Sequence, residues 1–377
     1  MYGIDHSCCG KTAALVACRA LRRTPVSLQI AFIGAGALGG FTGGLMARAG
    51  HAVSLIDPWP LHVERIRSDG LLLTGTHGEY RVELPALHLG EVQRLVHRPV
   101  DIAFVCVKLY DTRWCTELVA PYLAAGGFVV TMQNGLVEEE VAQVVGWSRV
   151  VGCIASKVQV ELVAPGEIRR TNPPGAGAHT AFRVGEVHGR STVRAAQVVR
   201  LLEAVDSARI TANLWGERWS KLVANAMTSP LCAVTGLSFK EMYALAGARR
   251  VIAHLAAEAI ELGRALGYEL EPVFGADPDL YIRAAHGDTV SLAELGDHLE
   301  AAQASSLPEG RSGIAQDIAK GRRTEVDYFN GYIVARARGT GVSADSHAAI
   351  TALVHAIERG EARPNVANLD ALAIGGK

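Results

Sequence analysis

No stretch of this 377-residue chain is both uncharged and apolar over the ~18–20 residues that a bilayer-spanning helix needs, so none is expected. An excess of one charge sign is also missing: 37 basic and 38 acidic side chains leave a net charge of −1. No Lys/Arg stripe with interleaved aromatics runs along the chain. A nucleic-acid binder would need that electrostatic footprint, so the expected partner is a small molecule. The cysteines, Cys8, Cys9, Cys18, Cys106, Cys115, Cys153 and Cys232, show neither metal-binding spacing nor the density of a secreted disulfide scaffold. They read as reduced thiols in a cytoplasm, and no metal site is expected.

What is present is ordinary globular material, with 49% hydrophobic and 20% charged residues. A chain of this length fits two domains plus tails. Residues 1–26 carry Lys11, Arg19, Arg22 and Arg23 against the single acid Asp5 and precede the first convincing strand. They read as a flexible extension; the apolar run Ala13–Ala17 is short for a secretory signal. The string Cys9-Gly10-Lys11-Thr12 ends like a phosphate-binding loop, but Asp5 stands where that loop needs its first glycine, and no strand precedes it.

Leu28–Ile33 is a β-prone apolar run followed at once by Gly34-Ala35-Gly36-Ala37-Leu38-Gly39, then a helical pattern through Ala49 and a second strand, Ala52–Ile56. Strand, glycine turn, helix and strand make a βαβ unit of the dinucleotide-binding kind. Gly34 permits the tight turn, Gly36 lets backbone approach a pyrophosphate, and Gly39 lets helix pack close to strand. N–H groups at the helix start then attract phosphates. Asp57 ends the second strand, where an acid accepts hydrogen bonds from the adenosine ribose hydroxyls. A 2′-phosphate would meet that carboxylate, so NAD(H) is favoured and NADP(H) is the alternative; a turn role for Asp57 before Pro58 stays open. Arg65 and Arg67 are candidates for phosphate contact.

Leu71–Leu73 with Tyr80–Leu84 reads as a hairpin, and Ile102–Val107 and Phe128–Met132 as parallel strands buried on both faces. The last two end in Lys108 and in Gln133-Asn134-Gly135. Ligands of open α/β sheets bind outside the carboxyl ends of strands, so Lys108 and Asn134 are placed beside substrate and nicotinamide, with loop and turn roles as the bland alternatives. Val150–Arg209 is less regular and includes a surface loop, Asn172–Gly177. From Asn213 helical periodicity dominates to about Arg359. The expected division is a Rossmann-type domain over 27–209, an all-helical domain over 210–360 and a tail over 361–377.

In the helix expected over Leu214–Thr228, Lys221 and Asn225 are four apart and share one face, and Ser229 continues the row. An amine flanked by Trp215, Trp219 and Leu222 suits a partly desolvated proton donor; a solvated polar face is the alternative. A later helix, expected from Ile314 to about Arg338, carries the stripe Ile314, Ile318, Gly321, Glu325, Phe329, Ile333. Glu325 breaks that apolar face, which costs several kcal/mol unless the carboxylate is paired or lines a cleft. Pairing with a lysine of the neighbouring helix would place it near Lys221.

Taken together, the glycine turn, Val107-Lys108, Gln133-Asn134-Gly135, Trp219-Ser220-Lys221-Leu222 with Asn225, and Gln316-Asp317-Ile318 followed by Arg322-Arg323-Thr324-Glu325-Val326-Asp327-Tyr328-Phe329-Asn330-Gly331 resemble the ketopantoate reductase family over most of the chain. The resemblance implies an active site between a Rossmann domain and a helical domain. It implies that Lys221 protonates the substrate carbonyl oxygen as hydride arrives and that Glu325 binds the substrate hydroxyl. Lys108 and Asn134 would lie near the nicotinamide, and Asn225 would hold substrate. Three positions depart from the family pattern. Ser229 stands for an asparagine, Gly313 for a carboxylate-binding serine, and Asp57 for a neutral or basic residue. Ser312, Ser305 and Arg311 are candidate substitutes for the serine, and Ala284–Pro308 is longer than the family core. The expected function is NAD(P)-dependent reduction of a 2-oxo acid, 2-dehydropantoate by default. A different carbonyl or alcohol substrate is the alternative, and a non-catalytic dinucleotide sensor the distant one. A homodimer is expected.

Overall fold

A computed structural model describes residues 28–175, 179–304 and 312–372; the expected extension 1–26 lies outside them. In chain order the first half forms β1 (Gln29–Ile33), α1 (Ala37–Arg48), β2 (Ala52–Asp57), α2 (Pro60–Asp69), β3 (Leu71–Gly75), β4 (Tyr80–Val82), β5 (Ala86–His88), β6 (Val100–Val105), α3 (Thr112–Val119), β7 (Leu123–Thr131) and α4 (Glu138–Val145). It continues with β8 (Val150–Ala155), β9 (Val160–Ala164), β10 (Glu167–Arg170), β11 (Phe182–Glu186), α5 (Val193–Leu202) and β12 (Ala208–Ile210).

Eight of these strands share one sheet, in the order β12-β11-β8-β7-β6-β1-β2-β5. All neighbours are parallel except β11 against β8. Apolar side chains cover both faces, which is why the central strands read as continuous hydrophobic runs. Chain order reverses between β1 and β6, and at such a switch point the carboxyl ends of the strands open onto a crevice.

The Leu71 hairpin forms as expected, with Leu71 opposite Val82. It belongs to a second sheet, β4-β3-β10-β9. Helix α1 is squeezed between the two sheets, and its composition follows from that. A Cβ on Gly43 would lie 2.8 Å from Leu55 of the main sheet, and one on Gly44 would lie 2.8 Å from Leu71 of the second. Each interior helical glycine costs roughly 0.5–1 kcal/mol relative to alanine, and close approach on two sides offsets it. The less regular stretch Val150–Arg209 holds five strands and a helix, most of them too short for a clear period.

The second half is helical: α6 (Leu214–Thr235), α7 (Phe239–Ala244), α8 (Ala246–Ala265), α9 (Pro278–Ala285), α10 (Thr289–Ala304), α11 (Gly313–Ala319), α12 (Val326–Ala337), α13 (Asp345–Glu358) and α14 (Asn368–Leu372). Among the described residues none of these helices is long and apolar enough to cross a membrane. Leu109, Leu136 and Val137, which follow β6 and β7, are buried in the helical core and tie the halves together.

Three expectations need correction. Helix α6 runs past Thr228 to Thr235 with Pro230 inside it, and stops where Gly236 turns left-handed at φ +78°. The helix expected from Ile314 to Arg338 is two helices. Gly321, at φ +62°, caps α11, with Arg322 N–H donating to Asp317 O, and α12 restarts only at Val326. Within the region expected as a tail, the described residues pack on the helical half. Asn365 N–H and Asn368 Nδ2 both donate to Val234 O, and Leu369 and Leu372 are buried.

Candidate active site

The glycine turn after β1 is held from both sides. Gly34 takes φ +94° and donates its N–H to Ile56 O. A Cβ on Gly39 would lie 2.1 Å from Gly34 O, while one on Gly36 would meet nothing within 4 Å. Ala35 N–H donates to Asp57 Oδ2 at 2.8 Å, and Ala35 O is 2.9 Å from His62 Nε2. His62 Nδ1 accepts the Gly166 N–H at 2.9 Å, so the ring proton sits on Nε2 and donates to Ala35. Gly36, Ala37 and Leu38 are partly exposed beside this clamp. No side chain caps α1 and no acid lies in its first turn, so its N-terminal N–H groups are available to an anion. These residues fit the pyrophosphate of a dinucleotide.

Asp57 is buried, accepts the Trp59 N–H at 2.9 Å through its other oxygen, and forms no ion pair among the described residues. Arg65 and Arg67 do not turn toward the glycine turn. Arg65 pairs with Asp69 at 2.6 Å, and Arg67 with Glu64 at 3.0 Å and with Glu91.

Beyond β6, Lys108 Nζ lies 2.5 Å from Asp317 Oδ2 and 3.4 Å from Glu325 Oε2. Glu325 Oε1 accepts the Leu109 N–H at 2.9 Å. Burial works against the Lys108 charge, but Glu325 and Asp317 outweigh it and raise its pKa. The pairing expected between Glu325 and Lys221 is therefore replaced by one with Lys108. The break before α12 sets Glu325 at the helix start, where it reaches across to the end of β6.

Lys221 donates instead to Ala155 O, at the carboxyl end of β8. Burial, then the neighbouring charges of Arg218 and Arg183, lower its pKa to about 7, against a smaller opposing effect of Cys153. Arg183 donates to Ser156 Oγ at 2.7 Å and lies 3.0 Å from Glu217 Oε2, off the line of a hydrogen bond. One turn along α6, the buried Asn225 Nδ2 has no partner among the described residues. Ser229 follows on the same row, partly buried. Asn134 is exposed, in the turn that Gly135 makes at φ +72°. Of the candidates to replace the missing serine, Ser305 and Arg311 lie outside the described residues. Ser312 caps α11, accepting Ala315 N–H, and donates to Ser229 O at 2.7 Å, so its hydroxyl is engaged. An amine poised near neutrality and an unpartnered amide on one helix face can together hold an oxygen and hand it a proton.

Sequence reasoning missed the groups that place this helix. Arg218, three residues before Lys221, donates to Gln133 O at 2.6 Å and to Thr131 O at 2.9 Å, and pairs with Glu138 at 2.6 Å. Both charged groups are at most 1% exposed. Glu138 stands in a run of three glutamates and nothing in the sequence marks it as the buried one. Asp317 was visible as part of a motif but had no partner assigned. Glu138→Gln leaves a buried guanidinium without its counter-charge, so a loss of about 3–5 kcal/mol is expected in urea unfolding. Replacing both partners by apolar residues, Arg218→Met with Glu138→Leu, should recover most of it. A Glu138→Gln loss under about 1 kcal/mol, the level of an exposed pair, would show that water reaches the site.

Two family profiles match the chain in sequence: Ketopantoate reductase PanE/ApbA over residues 30–181 and Ketopantoate reductase PanE/ApbA C terminal over 213–358. The 2-dehydropantoate 2-reductase of Halobacterium salinarum is 26% identical over 82% of this chain and 92% of its own length. That of Archaeoglobus fulgidus is 27% identical over 88% and 98%. Among solved structures, a PanE/ApbA family ketopantoate reductase from Ralstonia eutropha superposes with TM-score 0.73 at 27% identity, covering 89% of this chain and 99% of that one. D-mandelate dehydrogenase with NADH and anilino(oxo)acetate shares the fold, with TM-score 0.74 at 21% identity over 88% and 99%. The motifs, the switch-point crevice and these matches agree, and the chain belongs to the ketopantoate reductase family of oxidoreductases.

Proposed function

We propose that this enzyme transfers hydride between NAD(H) and a 2-oxo or 2-hydroxy acid, with reduction of 2-dehydropantoate to pantoate as the default reaction. The observation that carries the reading is Lys221, an amine whose pKa of about 7 lets it both give and take a proton near neutrality. The dinucleotide, when bound, supplies the hydride. Gly34, Ala35, Gly36, Ala37, Leu38 and Gly39 form the turn that takes its pyrophosphate, and Lys108 and Asn134 stand at the nicotinamide end. Lys221 protonates the carbonyl oxygen, Asn225 and Ser229 hold the substrate from the same helix face, and Glu325 accepts its hydroxyl. In this reading residues 27–209 bind the dinucleotide and 210–360 the substrate, and the enzyme is a cytoplasmic homodimer.

Asp57 supports NADH over NADPH, because its buried carboxylate carries no cation among the described residues to offset a 2′-phosphate. A second reading, the same chemistry on another carbonyl substrate, is favoured by Ser229 and Gly313 and by the engaged hydroxyl of Ser312. The test is the oxidation rate of NADH and NADPH with 2-dehydropantoate beside a panel of aliphatic and aromatic 2-oxo acids. Rapid turnover of 2-dehydropantoate confirms the default; turnover of another acid alone transfers the assignment to the second reading. A faster rate with NADPH would overturn the role of Asp57.

The pH dependence has a definite sign. Reduction needs protonated Lys221, so kcat/KM is level below about pH 7 and falls about tenfold per unit above it. Alcohol oxidation needs the neutral amine and rises through the same range. A reduction rate that climbs between pH 7 and 9 would contradict the assignment of Lys221 as the acid.

A further inference from the structure

Pro230 sits inside α6, where its ring nitrogen has no hydrogen for the carbonyl four residues back, that of Ala226. The carbonyl is not left bare. Asn330 Nδ2, from α12, donates to it at 2.9 Å. The other hydrogen of the same amide goes to His347 Nδ1 at 2.9 Å, and His347 Nε2 lies 2.8 Å from Leu255 O. A carbonyl only accepts, so Nε2 carries the ring proton and Nδ1 is the acceptor that Asn330 requires. Burial lowers the His347 pKa to about 4, so the ring keeps this state at neutral pH. Asn330 is fully buried and its Oδ1 has no partner among the described residues. Its orientation is thus fixed by two acceptors, at the cost of an unsatisfied oxygen.

The position of this substitute bond matters. Ala226 directly follows Asn225, and Ser229 directly precedes Pro230. Asn330 lies in the helix that Glu325 opens, and Ser312, which caps the helix bearing Asp317, holds Ser229 O at 2.7 Å. The proline turn of α6 is therefore completed from the two helices that carry the carboxylates facing Lys108.

We propose that Asn330 is a positioning residue: its amide replaces the N–H that Pro230 lacks and holds the turn bearing Asn225 and Ser229 in register with Lys221 and Glu325. This rests on the reductase reading of the same site. Misplacing substrate-holding groups by about 1 Å can cost on the order of 100-fold in rate.

The experiment compares wild type, Asn330→Leu, Pro230→Ala and the double variant, by kinetics on the best 2-oxo acid, NADH binding and urea unfolding. Asn330→Leu is expected to lower kcat/KM about 10- to 100-fold with NADH affinity unchanged. Pro230→Ala restores a backbone N–H to Ala226, so it should keep wild-type turnover and return most of the lost rate to the double variant. A merely structural amide would lower stability alone and leave kcat/KM of the folded variant unchanged. Wild-type kinetics in Asn330→Leu overturns the proposal, as does a loss undiminished by Pro230→Ala in protein that unfolds cooperatively. Should Asn330→Leu not fold, Asn330→Ser is read in the same way. If the wild type turns over no 2-oxo acid, the reductase reading fails, and unfolding alone then decides. An Asn330 cost that Pro230→Ala does not reduce overturns the substitute bond.

Discussion

Arg218 brings a permanent charge to a place that is 1% exposed, and the rest of the site follows from how that charge is satisfied. Its guanidinium finds Thr131 and Gln133 at the end of β7 and the Glu138 carboxylate at the start of α4. Removing the Glu138 carboxylate would leave an uncompensated buried charge at a cost of several kcal/mol. These contacts anchor helix α6 to the sheet. That constraint carries Lys221, less than one turn further on, to the Ala155 carbonyl at the end of β8. The same guanidinium then acts on the amine it has placed, since its positive charge adds to burial in lowering the Lys221 pKa.

The two lysines of the crevice are tuned in opposite directions by their surroundings. Lys108 faces two carboxylates, which outweigh burial and keep it charged. Lys221 faces a carbonyl and two guanidiniums, and nothing nearby favours its charge strongly enough to offset burial. One is suited to fixing anions and the other to moving a proton, a division of roles set by environment, since the side chains are identical. Beside Lys108, after the neighbouring strand β1, the clamp on Ala35 fixes the glycine turn through Asp57 and His62.

Much of this was legible in the sequence because its signals are local. The glycine turn, the buried strands ending in Lys108 and Asn134, and the Lys221–Asn225 spacing each depend on neighbours within a few residues. What was not legible depends on contacts across the chain. His62 lies 104 residues from Gly166, and Lys108 lies 209 from Asp317. Neither pairing leaves a periodic trace. The break at Gly321 was hidden for another reason: Ile314, Ile318, Gly321, Glu325, Phe329 and Ile333 keep helical spacing across it. The stripe survives because both helices pack on the same core. The helix expected to end at Thr228 continues through Pro230, where a side chain from α12 replaces the missing hydrogen bond.

The proposed reaction makes Lys221 the proton donor and gives it no part in binding the dinucleotide. The direct measurement is Lys221→Ala, followed by NADH fluorescence titration and by single-turnover reduction of the preferred 2-oxo acid. The expected result is NADH affinity as in the wild type with turnover abolished. Turnover unchanged in Lys221→Ala would contradict it and require another group to supply the proton.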